Sequence, residues 1–171
     1  ALAVSLSRAP VRPVQPRVAK WAPAPSDFIE IKGQLVHLRD EGPRTDPLPI
    51  VLIHGTSASL HTWEGWVRAL RGTRRVITLD LPGFGLPGPS RTGDYQGDTY
   101  ARFVLSVMDR LKLPAVVLGG NSLGGEVAWR VASLAPQRVQ RLVLVDAAGY
   151  AFRPLSVPMG FRIARVPGLN R

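Results

Sequence analysis

The sequence contains no cysteine. That excludes disulfides, thiolate metal sites and a cysteine nucleophile, and leaves the compartment unassigned. It also has no run of eighteen apolar residues, so no segment is apolar for long enough to cross a bilayer as a helix. Acidic residues are scarce: 12 Asp and Glu stand against 22 Lys and Arg, a formal net charge of +10. Such a charge suits a nucleic-acid or anionic-membrane partner. Here, however, the arginines are spread along the chain rather than clustered in one stripe, and no aromatic stacking motif is interleaved with them. That argues against nucleic acid. Histidine is the third scarcity. There are 3, at positions 37, 54 and 61, and none follows His61.

What is present is globular in character. The 171 residues are 45% hydrophobic and 20% charged, enough for one domain with a sizeable core. Residues 1–26 differ from the rest. Pro10, Pro13, Pro16, Pro23 and Pro25, mixed with Arg8, Arg12, Arg17 and Lys20, break helices and ladders and predict an extended linker or terminal extension. The apolar stub from Ala1 to Leu6 reads equally as a frayed terminus and as the end of a signal peptide or anchor. Membrane association through such a segment is therefore an open alternative.

From residue 27 the pattern alternates. Strands are expected at 28–31 and 35–38, joined by Lys32-Gly33-Gln34 as a hairpin, and at 50–53, 75–79, 115–119 and 142–145. Trp63, Trp66, Val67 and Leu70 predict an amphipathic helix over 62–71, stopped by Gly72. Tyr100, Phe103, Val104, Val107, Met108 and Leu111 predict a second helix, with Asp98 or Thr99 as its cap. A third follows residue 125, with Val127, Ala128, Val131, Ala132 and Ala135 on one face. Strands separated by single helices pair in parallel with helices on both faces, so the expected fold is α/β with a mostly parallel sheet. After Asp146 the pattern dissolves, and the sheet edge it leaves has no partner in this sequence.

The strongest chemical signal is Gly120-Asn121-Ser122-Leu123-Gly124, a G-x-S-x-G sequence between an expected strand and an expected helix. On a tight strand-to-helix turn the serine backbone is strained. Side chains two residues to either side would collide, so Gly120 and Gly124 must stay small. The bland alternative is a glycine-rich turn in which Ser122 only caps the helix. Two further motifs follow strands: His54-Gly55-Thr56 after 50–53, and Asp80-Leu-Pro-Gly-Phe-Gly85 after 75–79.

With these residues the sequence resembles the α/β-hydrolase superfamily, over about 28–149. The resemblance implies Ser122 as catalytic nucleophile, with the backbone N–H groups of Thr56 and Leu123 as oxyanion-hole donors. It makes His54 and Gly55 loop-ordering residues, because the triad order in that fold is serine, acid, histidine and His54 precedes the serine. Asp80 is expected to order its loop by hydrogen-bonding backbone. His37 and His61 are expected to be structural or solvated. Asp146, at the end of the last strand, is a minor candidate for the acid. Residues 150–171, with Phe152, Leu155, Met159 and Phe161, resemble the start of a helical cap.

The implied activity is hydrolysis of carboxylic esters or related acyl compounds, through an acyl-enzyme on Ser122 and with no cofactor or metal. Alternatives are a carbon–carbon-bond hydrolase or cofactor-free peroxidase on the same turn, and a non-catalytic binding protein that kept the pocket. A serine without a histidine base is a weak nucleophile. The expectation is therefore an N-terminal half that lacks the catalytic histidine and, unless Asp146 fills the role, the acid as well.

Overall fold

The computed structural model describes residues 15–151, 159–164 and 166. It divides into two compact units, Val14–Gly149 and a second that joins Ala1–Pro13 to Tyr150–Arg171. The first holds a six-stranded sheet.

Short β-branched and aliphatic runs make its inner strands. Helix α1 (Gln15–Trp21) precedes β1 (Ser26–Ile31) and β2 (Gln34–Glu41). Then come β3 (Ile50–Ile53), a 3-10 turn (Leu60–Trp63), α2 (Glu64–Leu70) and β4 (Val76–Leu79). Helix α3 (Gly97–Arg110), β5 (Val116–Asn121), α4 (Leu123–Leu134), a second 3-10 turn (Pro136–Arg138) and β6 (Val139–Val145) complete it. The strand order is β1-β2-β4-β3-β5-β6. β1–β2 and β2–β4 pair antiparallel; β3 pairs parallel with β4 and β5, and β5 with β6.

β3 and β4 are buried along their whole length, and their alternate residues serve two cores. Val51, Ile53, Ile77 and Leu79 face α3 and α4, meeting Tyr100, Val104, Met108, Val127 and Val131. Ile50, Leu52 and Val76 face the other way, onto Trp63 and Val67. The parallel strands thus carry helices on both faces, as the alternating pattern requires. On β6 the burial falls, and Leu142 and Leu144 are exposed at its edge.

Five local expectations are corrected. Residues 15–21 form a helix, not an extended linker. Pro16 sits in its first turn, where a missing N–H breaks no bond. The helix expected over 62–71 is a 3-10 turn followed by a shorter α-helix. The N-cap of α3 is Gln96, and Asp98 lies inside the first turn. β6 starts at Val139 and β2 extends to Glu41, because an edge or ribbon strand tolerates the polar residues that hid them.

In the second unit, α5 (Met159–Ala164) is described, with Met159 and Ile163 exposed. Phe152 and Leu155 of the expected cap lie outside the described residues. Among those described, no helix is long and apolar enough to cross a membrane.

Candidate active site

The C-terminal ends of β3, β4 and β5 bring the predicted residues to one edge of the sheet. Ser122 stands between β5 and α4 with φ 53 and ψ −116, a strained conformation for a non-glycine residue. The exit of β6 fixes this turn. The Ser122 N–H donates to Val145 O (3.0 Å), and Ser122 O accepts from the N–H groups of Ala148 (2.9 Å) and Glu126 (3.1 Å). Asn121 Nδ2 also donates to Val145 O (3.2 Å).

The glycines behave as the motif demands. A Cβ on Gly120 would lie 2.1 Å from Gly124 O, and one on Gly124 would lie 2.2 Å from Ile53 O and 2.5 Å from His54 O. The missing side chains let α4 rest directly on the end of β3. Gly55 brings the next loop against the serine, since a Cβ there would sit 3.1 Å from Ser122 Cβ. Thr56 follows it at the exposed end of that loop. Leu123 is the first residue of α4, so its N–H has no acceptor within the helix and lies at the positive end of the dipole.

His54 is fully buried. The Leu81 N–H donates to its Nε2 (3.0 Å), which leaves the ring proton on Nδ1, donated to Gly55 O (2.7 Å). Burial lowers its pKa, against the opposing pull of the Gly55 carbonyl and the Asp80 charge. The ring is therefore a neutral brace between β3 and the residues after β4.

Asp80 is buried beside it. Its Oδ1 accepts from the Leu60 N–H (2.7 Å), and its Oδ2 from the Leu86 N–H (3.2 Å) and His37 Nδ1 (2.8 Å). Burial opposes ionisation. The hydrogen bonds from His37, Leu60 and Leu86 outweigh it and hold the carboxyl below the ordinary aspartate range. His37 extends the network from its Nε2 to Ser26 Oγ (3.0 Å), which also accepts from Arg39 Nε (3.0 Å). This His37–Asp80 pair is the feature that sequence reasoning missed.

All the histidine ring nitrogens are committed. Those of His61 meet Ser59 Oγ (3.0 Å) and Arg39 Nη2 (3.2 Å). Asp146 follows β6 with φ 46 and is exposed. Its strand lies next to that of Ser122.

Comparison with known proteins places this geometry. A family model described as the alpha/beta hydrolase fold matches residues 49–170. One relative, the dihydrolipoyllysine-residue acetyltransferase component of an acetoin cleaving system of Pseudomonas putida, is 40% identical over 74% of this chain and 34% of its own. Another, a 2-hydroxymuconate semialdehyde hydrolase of Pseudomonas sp. strain CF600, is 33% identical over 75% of this chain and 48% of its own. The chain thus spans at most about half the length of these two relatives. A solved meta-cleavage product hydrolase from Pseudomonas fluorescens superposes with TM-score 0.68 at 31% identity, covering 74% of this chain and 46% of that one. A membrane phospholipase A superposes with TM-score 0.72 at 28% identity, covering 81% and 44%. The chain belongs to the alpha/beta hydrolase fold family.

Proposed function

We propose that this chain carries the nucleophile-bearing half of a serine hydrolase acting on carboxylic esters or related acyl compounds. The carrying observation is Ser122, held at φ 53 between a strand and a helix by glycines that leave no room for a Cβ. A strained turn of this kind costs about 1–3 kcal/mol and persists where the surroundings enforce it. Chemistry at a half-buried hydroxyl on this turn gives the strain a use; simple binding does not.

In this reading Ser122 Oγ attacks the carbonyl carbon and its proton passes to a base. The N–H groups of Thr56 and Leu123 hold the oxyanion. The alkoxide leaves with the proton, and water then releases the acid from the acyl-enzyme. Removal of one such donor costs roughly 3 kcal/mol in serine proteases. The three histidines here are bound elsewhere, so the base comes from sequence outside this chain. The acid comes from there too, with Asp146 as the alternative.

A second reading, carbon–carbon-bond hydrolysis on the same serine, is favoured by the meta-cleavage relatives. A 2-hydroxy-6-oxo-2,4-heptadienoate hydrolase of Pseudomonas putida is 36% identical over 61% of this chain. The two are separated by assaying the complete protein on p-nitrophenyl esters and on a 2-hydroxy-6-oxo-dienoate. Faster turnover of the esters, lost by about 10⁴-fold or more in Ser122→Ala, supports the first reading. Preference for the dienoate supports the second, and turnover unaffected by Ser122→Ala overturns both.

A further inference from the structure

A concavity lies at the same end of the sheet, and Ser122 is not among its lining residues. β2 runs antiparallel to β4 with Leu38 opposite Leu79, so its first residues extend past the end of β4. The β1–β2 turn therefore stands at the edge where the candidate site lies. Three strand spacings separate β2 from β5, about 14 Å. Between this turn, the segment after β4 and the first turns of α3 is a cleft of about 220 Å³. Its walls include Ile31, Pro82, Tyr100 and Phe103.

The cleft is built rather than incidental. Tyr100 is buried and its hydroxyl donates to Pro82 O (2.9 Å). The Arg91 N–H donates to Gln34 Oε1 (3.1 Å), which ties the far wall to the hairpin.

Cations elsewhere on the described surface are of both kinds: Arg68, Arg110, Lys112 and Arg141 form no salt bridge among the described residues, and others are paired. Arg39, Arg44, Arg71, Arg74, Arg75, Arg130 and Arg138 each meet a carboxylate. Lys32, Arg91 and Arg102 line the cleft, are exposed, and form no salt bridge among the described residues. One carboxylate, Asp94, also lines it. Its oxygens accept from Thr99 Oγ1 (2.5 Å) and the Gln96 N–H (2.9 Å). Three cations against one carboxylate leave a positive rim over an apolar floor.

We propose that this cleft binds a free amphipathic anion, with its acidic head at Lys32, Arg91 and Arg102 and its apolar tail against Ile31, Pro82, Tyr100 and Phe103. Arginine pairs with a carboxylate or phosphate in a two-pronged fashion, while the walls remove the tail from water. The site is independent of Ser122, and its test does not read turnover.

The probes are octanoate, acetate and octanol, titrated calorimetrically into the complete protein. Octanoate is expected to saturate one site at least tenfold more tightly than acetate, which lacks the tail, or octanol, which lacks the charge. The variant Lys32→Gln/Arg91→Gln/Arg102→Gln changes only exposed side chains, and an unchanged circular dichroism melt shows that it folds. It should weaken octanoate at least tenfold. Ser106→Trp, which fills the cleft, should do the same. Equal affinity for octanoate and octanol, or an octanoate affinity that neither variant changes, overturns the proposal. So does binding seen only with phosphatidylglycerol vesicles and not with free octanoate.

Discussion

Replacing Gly124 by alanine adds one methyl group at the tightest point of the turn. That carbon would lie 2.2 Å from Ile53 O and 2.5 Å from His54 O. Ordinary carbon–oxygen contacts need more than a further ångström. Both obstacles are main-chain carbonyls, so no rotamer change relieves the clash. Either α4 lifts from β3 or the end of β3 bends. Overpacking of this kind costs typically 1–3 kcal/mol, and the rigidity of the two partners puts this case at about 3. For a protein of this size each kcal/mol moves the Tm by about 2–4 °C, so a fall of roughly 10 °C is expected. Gly120→Ala, with its Cβ 2.1 Å from Gly124 O, should behave alike. The assay is thermal unfolding of the complete protein followed by circular dichroism. If both variants melt within about 1 °C of the parent, the packing argument at the turn is wrong.

Gly65→Ala makes the opposite case. This glycine lies in α2 with nothing within 4 Å of an added Cβ. Alanine there should stabilise by about 0.5–1 kcal/mol, and a lowered Tm would contradict it. Asp80→Ala leaves His37 and the Leu60 and Leu86 amides without their acceptor. A loss of roughly 3 kcal/mol is expected in denaturant titration, and a change under about 1 kcal/mol would show the network to be idle. The folded-state pKa of His54 lies below 6.5 and that of Asp80 below 3.8. In both cases the unfolded chain binds the proton more readily. Their contributions are therefore complete above those values and lost as pH falls below them, first for His54 and then for Asp80. Unfolding free energies measured from pH 8 to pH 3 should decline in that order. Stability that rises as pH drops from 6.5 to 5 would refute the assignment for His54.

How far the sequence could be read depended on how local the physics was. The Ser122 turn is held in part by a relation within four residues, a Cβ on Gly120 against Gly124 O, so Gly120 to Gly124 showed it directly. That Gly124 must also stay small against Ile53 O and His54 O was not legible, because those carbonyls are distant in sequence. The buried strands β3 and β4 were equally plain, because burial on both faces leaves an unbroken aliphatic run. The His37–Asp80 bond was not legible. It depends on the antiparallel register that sets Leu38 opposite Leu79, and no local spacing encodes that register. Helix α1 was hidden by Pro16, which breaks a helix interior but is harmless in a first turn. The cap of α3 was misplaced because Asp98 and Thr99 carry capping side chains, whereas Gln96 holds the position without a side-chain bond. The roles of Thr56, Leu123 and Asp146 rest on where an absent substrate would sit, which neither spacing nor packing specifies.

The central claim is that Ser122 is the nucleophile. It is tested most directly by treating the complete protein with a fluorophosphonate and locating the adduct by peptide mass spectrometry. The account predicts one adduct, on the peptide that contains Ser122, absent from Ser122→Ala. It also predicts labelling of the isolated 171-residue chain at least tenfold slower, since its histidine nitrogens are already bonded. An adduct on another residue, or labelling that survives Ser122→Ala, would contradict it.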